Sequence, residues 1–264
     1  MEILSKDLDI EAFFRKVATA KKRLLLLDYD GTLAPFRVER DQAFPYTGIS
    51  ELLGEICRNQ LSRVVIISGR AVQDLVPLLH IDPLPEIWGS HGWEHLADNG
   101  NYVIASLDEH TRQALSQAKE HIKSLELTKY CEQKPVSLAL HWRGLSSDTA
   151  NSIQAQVIDY WQNLEKSSNL KVHNFDGGIE IRVNGKDKGT AVNSIIEGLE
   201  EDVSIAYLGD DYTDEDAFKA LSRRGLNVLV REQLRSTHAD VWIKPPEELI
   251  NFLNQWKQSC LGST

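Results

Sequence analysis

Short apolar segments that stop abruptly at polar residues constrain the fold of this chain more than any other feature of its sequence. The segment RLLLLDY covers residues 23–29, and SIAYL covers residues 204–208 and is followed by Gly209 and Asp210. A short, continuous apolar run is typical of a strand buried on both faces of a parallel sheet. The β-branched segment RVVIIS at residues 63–68 has the same character. We therefore expect parallel strands with polar side chains at their carboxyl ends.

Helical patterns separate these strands. Apolar residues recur at helical spacing within residues 7–20 and 49–56, so the chain alternates between helices and strands up to about residue 107. That alternation is typical of a doubly wound α/β sheet. Within residues 108–182 the pattern changes to helices and antiparallel strand pairs, and the α/β pattern then returns. The sequence predicts a Rossmann-like parallel-sheet core, residues 1–107 and 183–264, interrupted by an inserted α+β domain.

The composition limits the partners that the chain can have. Lys and Arg number 29 and Asp and Glu number 39 in 264 residues, which gives a formal net charge of −10. This charge argues against nucleic acid or an anionic membrane as the main partner, because both are negatively charged themselves. No apolar stretch reaches the roughly 18 residues of a membrane span. Cys57, Cys131 and Cys260 have no disulfide-like or metal-binding spacing, so we expect free thiols and a cytoplasmic location. We also expect a monomer, because the sequence has no excess of exposed apolar pattern that would call for a partner.

Asp28 and Asp30 follow the first buried segment directly, in the sequence DYDGT. The carboxyl ends of the strands in an open α/β sheet border the crevice where ligands bind. Two carboxylates this close repel each other unless a cation joins them, and Mg²⁺ suits a phosphate substrate. A calcium-binding loop fits poorly, because Leu33 stands where that loop needs glycine. The alternative, in which both aspartates only form a turn and cap a helix, stays open at this point.

Three further segments place polar groups beside predicted strand ends or helix starts. Ser68-Gly69-Arg70 can bind an anion through a hydroxyl and backbone N–H groups, or Ser68 can simply cap a helix. Lys188 lies near a predicted helix start, where a cation is unfavourable unless it holds an anion; a solvated surface lysine is the alternative. Residues 210–216 contain five acids, some of which can be helix N-terminal acids, but Asp210 precedes the turn.

Six segments of the chain carry a resemblance to known proteins. They are LLLLDYDGTLAP (24–35), IISGR (66–70), GSHGWE (89–94), SLALHWR (137–143), IEIRVNGKDKGTAV (179–192) and YLGDDYTDEDAF (207–218). In this order they resemble the haloacid dehalogenase-like (HAD) superfamily of phosphohydrolases, and more closely its trehalose-6-phosphate phosphatase family. The resemblance spans about residues 22–245. It implies a HAD fold in which the inserted domain is a cap that closes over the active site.

The resemblance also implies a reaction, the hydrolysis of a phosphoric monoester. Asp28 would be the nucleophile, forming an aspartyl-phosphate intermediate. Asp30 would protonate the leaving sugar oxygen and then activate water. Ser68 and Lys188 would hold the phosphoryl oxygens and neutralise developing charge.

A Mg²⁺ site follows from the same resemblance. Asp28 and Asp210 would bind the ion through their carboxylates, and Asp30 through its backbone carbonyl. Either Asp214 or Asp211 would bind the ion or position its waters, and the sequence does not decide between them.

The substrate implied by the resemblance is a small sugar phosphate. The residues expected to bind it are Arg70, Glu132, Lys134, His141, Arg143 and Glu180. Pro135 stands where the family often has a small residue, and this departure bears on the identity of the sugar more than on the chemistry.

Alternatives of other kinds stay open. The chain could hydrolyse another phosphorylated glycoside, such as glucosylglycerol phosphate, sucrose phosphate or a mannosyl- or glucosylglycerate phosphate. A phosphomutase would pass the phosphoryl group from Asp28 to a second sugar hydroxyl. A non-catalytic sensor of phosphosugars is expected to lack Asp28 or Asp30, and both are present.

Overall fold

A computed structural model describes residues 1–175, 177–199 and 202–262 of the chain. The chain divides into two compact units, which we call the core unit (Met1–Val103 with Asp187–Thr264) and the insert unit (Ile104–Lys186). The insert unit begins four residues before the predicted inserted domain, residues 108–182, and ends four residues after it.

The elements are named here in chain order. The strands are β1 (Glu2–Ile3), β2 (Lys22–Leu27), β3 (Arg63–Ile67), β4 (Glu86–Gly89), β5 (Glu94–Leu96), β6 (Tyr102–Ile104), β7 (Cys131–Lys134), β8 (Ser137–His141), β9 (Leu170–Phe175), β10 (Gly178–Val183), β11 (Val203–Gly209), β12 (Leu226–Val230) and β13 (Val241–Ile243). The α-helices are α1 (Ile10–Thr19), α2 (Ile49–Arg58), α3 (Val72–Leu79), α4 (Glu109–Ser124), α5 (Ser147–Ser167), α6 (Lys188–Ile196), α7 (Asp214–Leu221) and α8 (Glu247–Leu261).

A mostly parallel sheet forms the centre of the core unit. Its described strands run in the order β1-β13-β12-β11-β2-β3-β4-β5-β6. Neighbours from β13 to β4 pair in parallel, whereas β1 and β5 add antiparallel strands to β13 and β4. The chain builds from β2 to β4 on one side and returns at β11 on the other side. In open α/β sheets, ligands bind at the carboxyl ends of the strands where the order reverses, here β2 and β11.

Helices cover both faces of this sheet. Leu25 and Leu27 of β2 join an apolar cluster that includes residues of α1, α2, α3 and α8. Leu24 and Leu26 join a second cluster, which includes residues of α6 and α7. Successive side chains of a strand point to opposite faces, so a strand covered on both faces needs apolar residues at consecutive positions. The predicted α/β class with a parallel-sheet core is confirmed.

An antiparallel sheet forms the centre of the insert unit, with the strand order β7-β8-β10-β9. Leu138 and Leu140 of β8 and Ile179 and Ile181 of β10 are buried, as are apolar residues of α4 and α5. Side chains of the alternate parity, among them Ala139 and Glu180, lie on the other face. Helices therefore fill one face of the sheet, and the other face carries polar groups.

Two further observations bear on the expectations from composition. Among the helices that the structure describes, none combines the length and the apolar character needed to cross a membrane. Cys57, Cys131 and Cys260 are free thiols.

Candidate active site

Polar side chains gather at the carboxyl ends of the central strands. Asp28 directly follows β2, and Asp210 directly follows β11. Lys188 is the first residue of α6, and Asp214 is the first residue of α7. All four side chains are buried, none more than 5% exposed. We call these four residues the acidic cluster.

The ammonium of Lys188 links two of the carboxylates. Its Nζ donates to Asp28 Oδ1 at 2.6 Å and to Asp214 Oδ1 at 2.7 Å. Burial acts to lower the pKa of Lys188, but the charges of Asp214 and Asp28 outweigh it, so the pKa is raised. Lys188 is therefore charged, and it is a buried ion-pair partner rather than a solvated surface lysine.

The acidic cluster carries more negative charge than Lys188 neutralises. Oxygens of Asp28, Asp210 and Asp214 all lie within 4.8 Å of one another. Three carboxylates and one ammonium leave a formal charge of −2. Burial, followed by the charge of Asp214, raises the pKa of Asp28 to about 7, and burial with the charge of Asp28 raises the pKa of Asp210. A divalent cation would balance this charge and oppose the rise in the pKa values of Asp28 and Asp210.

The Asp214 carboxylate accepts hydrogen bonds from four groups. Its Oδ1 accepts hydrogen bonds from Lys188 Nζ and, at 2.6 Å, from the Tyr207 hydroxyl. Its Oδ2 accepts from the backbone N–H groups of Asp210 and Asp211, at 3.1 and 3.0 Å. Because both oxygens already accept two hydrogen bonds, direct binding of a cation by Asp214 would displace one of these donors. The structure brings Asp214, and not the Asp211 carboxylate, into the cluster.

Asp210 lies against the backbone of Gly31, which belongs to the DYDGT segment. Gly31 has φ +84°, a left-handed conformation, and a Cβ at this position would lie 2.1 Å from Asp210 Oδ2. Glycine at this position therefore leaves room for the Asp210 carboxylate beside the turn. Within residues 1–175, 177–199 and 202–262, no group donates a hydrogen bond to the Asp210 carboxylate. This carboxylate is the group of the cluster best placed to bind a cation.

The remaining carboxylate of the cluster, that of Asp28, has one strong donor and one weaker one. Lys188 binds Oδ1, and the Thr32 hydroxyl donates to Oδ2 at 3.1 Å. Asp28 and Asp210 together offer a hard cation the oxygen ligands it prefers. These residues fit a divalent cation by charge, by donor type and by burial.

Asp30 stands apart from the acidic cluster, because Arg70 binds its carboxylate. Arg70 Nε donates to Asp30 Oδ2 at 2.7 Å, and Arg70 Nη2 donates to Asp30 Oδ1 at 2.6 Å. A third hydrogen bond, from Nη1 to the carbonyl of Arg40 at 2.8 Å, fixes the guanidinium further. The Arg70 side chain is 6% exposed and that of Asp30 is 29% exposed. Arg70, which was predicted to bind substrate, thus holds Asp30, the predicted acid–base group, through two hydrogen bonds in one ion pair.

Ser68 follows β3 and is 1% exposed. Its Oγ accepts a hydrogen bond from the backbone N–H of Arg70 at 3.1 Å. Helix α3 begins at Val72 and is capped by Ala71, so Ser68 is not the N-cap of that helix. The segment Ser68-Gly69-Arg70 instead forms a turn that precedes this helix.

The insert unit contains a second group of buried polar side chains. Glu132 and Glu180 lie on either side of Ala139 in the sheet register and share its face. Lys134 Nζ donates to Glu180 Oε1 at 2.9 Å and lies 3.6 Å from Glu132 Oε2. The side chains of Glu132, Lys134 and Glu180 are 9% exposed or less. We call these three residues, together with His141, the insert cluster.

His141 and Arg143 were both predicted to bind substrate, and the structure separates their positions. His141 Nε2 lies 2.9 Å from Glu132 Oε2, so His141 belongs to the insert cluster. Arg143 lies beyond the end of β8, next to Gly177, where a Cβ would lie 2.9 Å from Arg143 Cβ.

The structure also shows groups that sequence reasoning missed. The Tyr207 hydroxyl bonds Asp214, although the segment SIAYL suggested only an apolar strand. Thr32 binds Asp28 directly. Arg235 donates to the carbonyls of Asp210 and Asp211, which are more than 20 residues away in the chain. No local sequence pattern predicts that contact. For Tyr207 a signal exists, because a tyrosine hydroxyl in a buried strand needs a partner.

Comparison with known proteins decides the family. The trehalose-phosphatase family model matches residues 26–241, which is most of the chain. The chain belongs to the trehalose-phosphatase family. Trehalose-phosphate phosphatase B of Arabidopsis thaliana is 29% identical over 93% of this chain and 70% of its own length. The predicted family and the predicted class of enzyme, a phosphatase, are both confirmed.

Solved structures support the fold. The C-terminal domain of C. albicans trehalose-6-phosphate phosphatase superposes with a TM-score of 0.79 at 21% identity, covering 100% of both chains. A haloacid dehalogenase-like hydrolase from Bacteroides thetaiotaomicron superposes with a TM-score of 0.68 at 16% identity, covering 90% of this chain and 99% of its own. The HAD fold that the motifs implied is therefore present. Membership of this phosphatase family implies the use of a divalent metal ion. The charge and the oxygen donors of the acidic cluster fit such an ion.

Proposed function

We propose that this phosphatase hydrolyses trehalose 6-phosphate to trehalose and phosphate with Mg²⁺ as its cation. One observation supports the chemistry most strongly, namely the buried acidic cluster at the reversal point of the sheet, with its formal charge of −2. The family and its relatives, whose names state trehalose-phosphate phosphatase activity, support the substrate.

In this proposal the carboxylates of Asp28 and Asp210 and the backbone carbonyl of Asp30 would hold Mg²⁺. When bound, the cation supplies positive charge that lets an anionic ester approach acidic residues and stabilises charge on the transferring phosphoryl group. Asp214 is proposed to hold Lys188 and the Asp210–Asp211 backbone, because its oxygens are already occupied by hydrogen-bond donors.

Asp28 acts as the nucleophile. One carboxylate oxygen attacks phosphorus, the bond from phosphorus to the sugar oxygen breaks, and the sugar oxygen takes a proton from Asp30. Water then attacks phosphorus, the bond to Asp28 breaks, and Asp30 takes the proton from water. Lys188, whose Nζ lies 2.6 Å from Asp28 Oδ1, is proposed to neutralise charge on the phosphoryl oxygens, and the buried Ser68 hydroxyl is proposed to bind them.

The ion pair between Asp30 and Arg70 bears on the orientation of the acid–base group. The Arg70 guanidinium donates to both carboxylate oxygens of Asp30 and so fixes the plane of that carboxylate. We therefore propose that Arg70 orients Asp30, in addition to the substrate-binding role predicted from the sequence.

Sugar binding is proposed for the insert unit. Glu132, Lys134 and Glu180 present buried acceptors and a donor on one sheet face, and such polar groups of fixed geometry suit sugar hydroxyls. His141, which contacts Glu132, and Arg143 are proposed to contribute to the same recognition.

A panel of phosphate esters tests the substrate. We expect kcat/KM for trehalose 6-phosphate to exceed that for glucose 6-phosphate, sucrose phosphate and glucosylglycerol phosphate. Glu180→Gln should raise KM for trehalose 6-phosphate while leaving hydrolysis of p-nitrophenyl phosphate unchanged, because the smaller ester lacks sugar hydroxyls. A higher kcat/KM for another glycoside phosphate would overturn the substrate, and equal effects on both esters would overturn the role of Glu180.

Asp28→Asn tests the chemistry. The amide keeps the size of the side chain but is a poor nucleophile and cation ligand, so phosphate release should be abolished with the fold intact by circular dichroism. Normal turnover by this variant would refute the nucleophile, and full activity in EDTA would refute the cation. We also propose a cytoplasmic location, which the free thiols support, and a monomeric state, which light scattering of the purified chain would test.

A further inference from the structure

Arg235 binds the backbone of the segment that carries Asp210. It lies between β12 and β13, 25 residues after Asp210 in the chain. Its Nε and Nη2 donate to the Asp210 carbonyl at 3.3 and 3.2 Å, and Nη2 also donates to the Asp211 carbonyl at 2.7 Å. Arg231 adds one hydrogen bond to the Asp210 carbonyl, at 3.2 Å. One guanidinium thus spans two consecutive carbonyls.

The guanidinium of Arg235 is itself held in place. Its Nη1 forms an ion pair with Glu215 Oε1 on α7 and donates to the Ser236 carbonyl at 2.8 Å. Glu215 is fixed in turn by the Thr237 hydroxyl and the His238 backbone N–H, each at 2.8 Å. The side chains of Arg235 and Glu215 are only 9% and 11% exposed. An ion pair this well shielded keeps its geometry better than a surface pair does.

The two sides of the Asp210–Asp211 backbone are bound by different groups. Asp214 accepts from the two backbone N–H groups, and Arg235 donates to the two carbonyls. The Asp210 carboxylate has no hydrogen-bond donor among the described residues, so the only hydrogen bonds that fix the position of this residue are those of its backbone. Whatever fixes this backbone also fixes the carboxylate that is proposed to bind the cation.

We propose that Arg235 is a positioning residue for the cation site, acting through the Asp210–Asp211 backbone. This inference rests on the proposed function in one respect only, namely that the acidic cluster binds a cation. Arg235 contacts the backbone of Asp210 and not its carboxylate. Outer groups that orient metal ligands typically change metal affinity by about 10–100-fold when they are removed.

Mg²⁺ binding to the metal-free protein, measured by calorimetry, tests this role. We expect Arg235→Gln to bind Mg²⁺ at least about tenfold more weakly than the wild type. Hydrogen exchange of the Asp210 and Asp211 backbone N–H groups should also become faster in the metal-free variant. The matched control is Arg224→Gln, because Arg224 donates to the Ile196 carbonyl at 3.2 Å, away from the cluster. The control should keep wild-type Mg²⁺ affinity.

The outcomes separate this inference from the proposed function. A wild-type protein that does not bind Mg²⁺ would overturn the cation site itself. Wild-type binding with unchanged affinity and unchanged exchange in Arg235→Gln would overturn the role of Arg235. Arg235→Lys keeps the positive charge but lacks the planar guanidinium, whose N–H groups form a fork. It provides a second test if Arg235→Gln does not fold. It should also bind Mg²⁺ more weakly than the wild type, and full wild-type affinity would contradict positioning by the fork.

Discussion

Replacing Lys188 with methionine would test whether its ammonium balances the buried carboxylates. Methionine keeps most of the side-chain length but removes the donors to Asp28 and Asp214, which lie 2.6 and 2.7 Å away. Removing one partner of a buried ion pair costs about 3–5 kcal/mol. Because 1 kcal/mol shifts the Tm of a domain this size by about 2–4 °C, the metal-free variant should melt roughly 6–20 °C lower.

The destabilisation should also depend on pH. The pKa of Asp28 is raised to about 7 by burial and by Asp214, so the native state holds this proton more tightly than the unfolded state. Its contribution to stability is fully present below the unfolded pKa of 3.8 and is lost as pH rises through about 7. Lys188 opposes this rise in pKa, so its removal should cost more at about pH 8 than at about pH 5.

Urea unfolding in EDTA at both pH values measures this effect. The matched control is Lys219→Met, which changes an exposed lysine of α7. The control should change the free energy of unfolding by less than about 0.5 kcal/mol, as is usual at surface positions. A loss below about 1 kcal/mol for Lys188→Met, or the same loss at both pH values, would refute the proposed charge balance.

Three further predictions follow from the site. Mg²⁺ binding near pH 6.5 should release protons, because the pKa of Asp28 in the metal-free protein is about 7 and its carboxylate must ionise to bind the cation. The heat of binding should therefore differ between buffers of different ionisation enthalpy, and equal heats would contradict this prediction. Gly31→Ala should lower kcat/KM and weaken Mg²⁺ binding, because its Cβ would lie 2.1 Å from Asp210 Oδ2, and wild-type values for both would contradict the close approach. Arg70→Lys should lower kcat more than it raises KM, because lysine cannot bind both oxygens of Asp30, whereas the opposite split would favour direct substrate binding by Arg70.

The sequence predicted the central strands and their polar ends well. Residues 23–29 and 204–208 were expected to be buried strands, and the structure has β2 at Lys22–Leu27 and β11 at Val203–Gly209. Both strands are covered on two faces, which makes a continuous apolar run the expected signal. Because β2 and β11 are parallel neighbours, the aspartates that follow them arrive at one edge.

Contacts between distant segments could not be predicted in the same way. Arg70 is 40 residues from Asp30, and Arg235 is 25 residues from Asp210, so neither pair leaves a periodic pattern in the sequence. The start of α3 at Val72 depends on the turn in which Ser68 accepts from Arg70, which competes with the helix for the same backbone. Arg70 and Arg235 thus have partners that only the fold brings near.

The stereochemical course at phosphorus tests the central claim most directly, since that claim is phosphoryl transfer through Asp28. The measurement uses trehalose 6-phosphate made chiral at phosphorus with oxygen isotopes and sulfur, and it determines the configuration of the released thiophosphate. Transfer to Asp28 followed by transfer to water inverts phosphorus twice, so the account predicts net retention of configuration. Net inversion would show that water attacks the ester directly and would contradict the role of Asp28 as nucleophile.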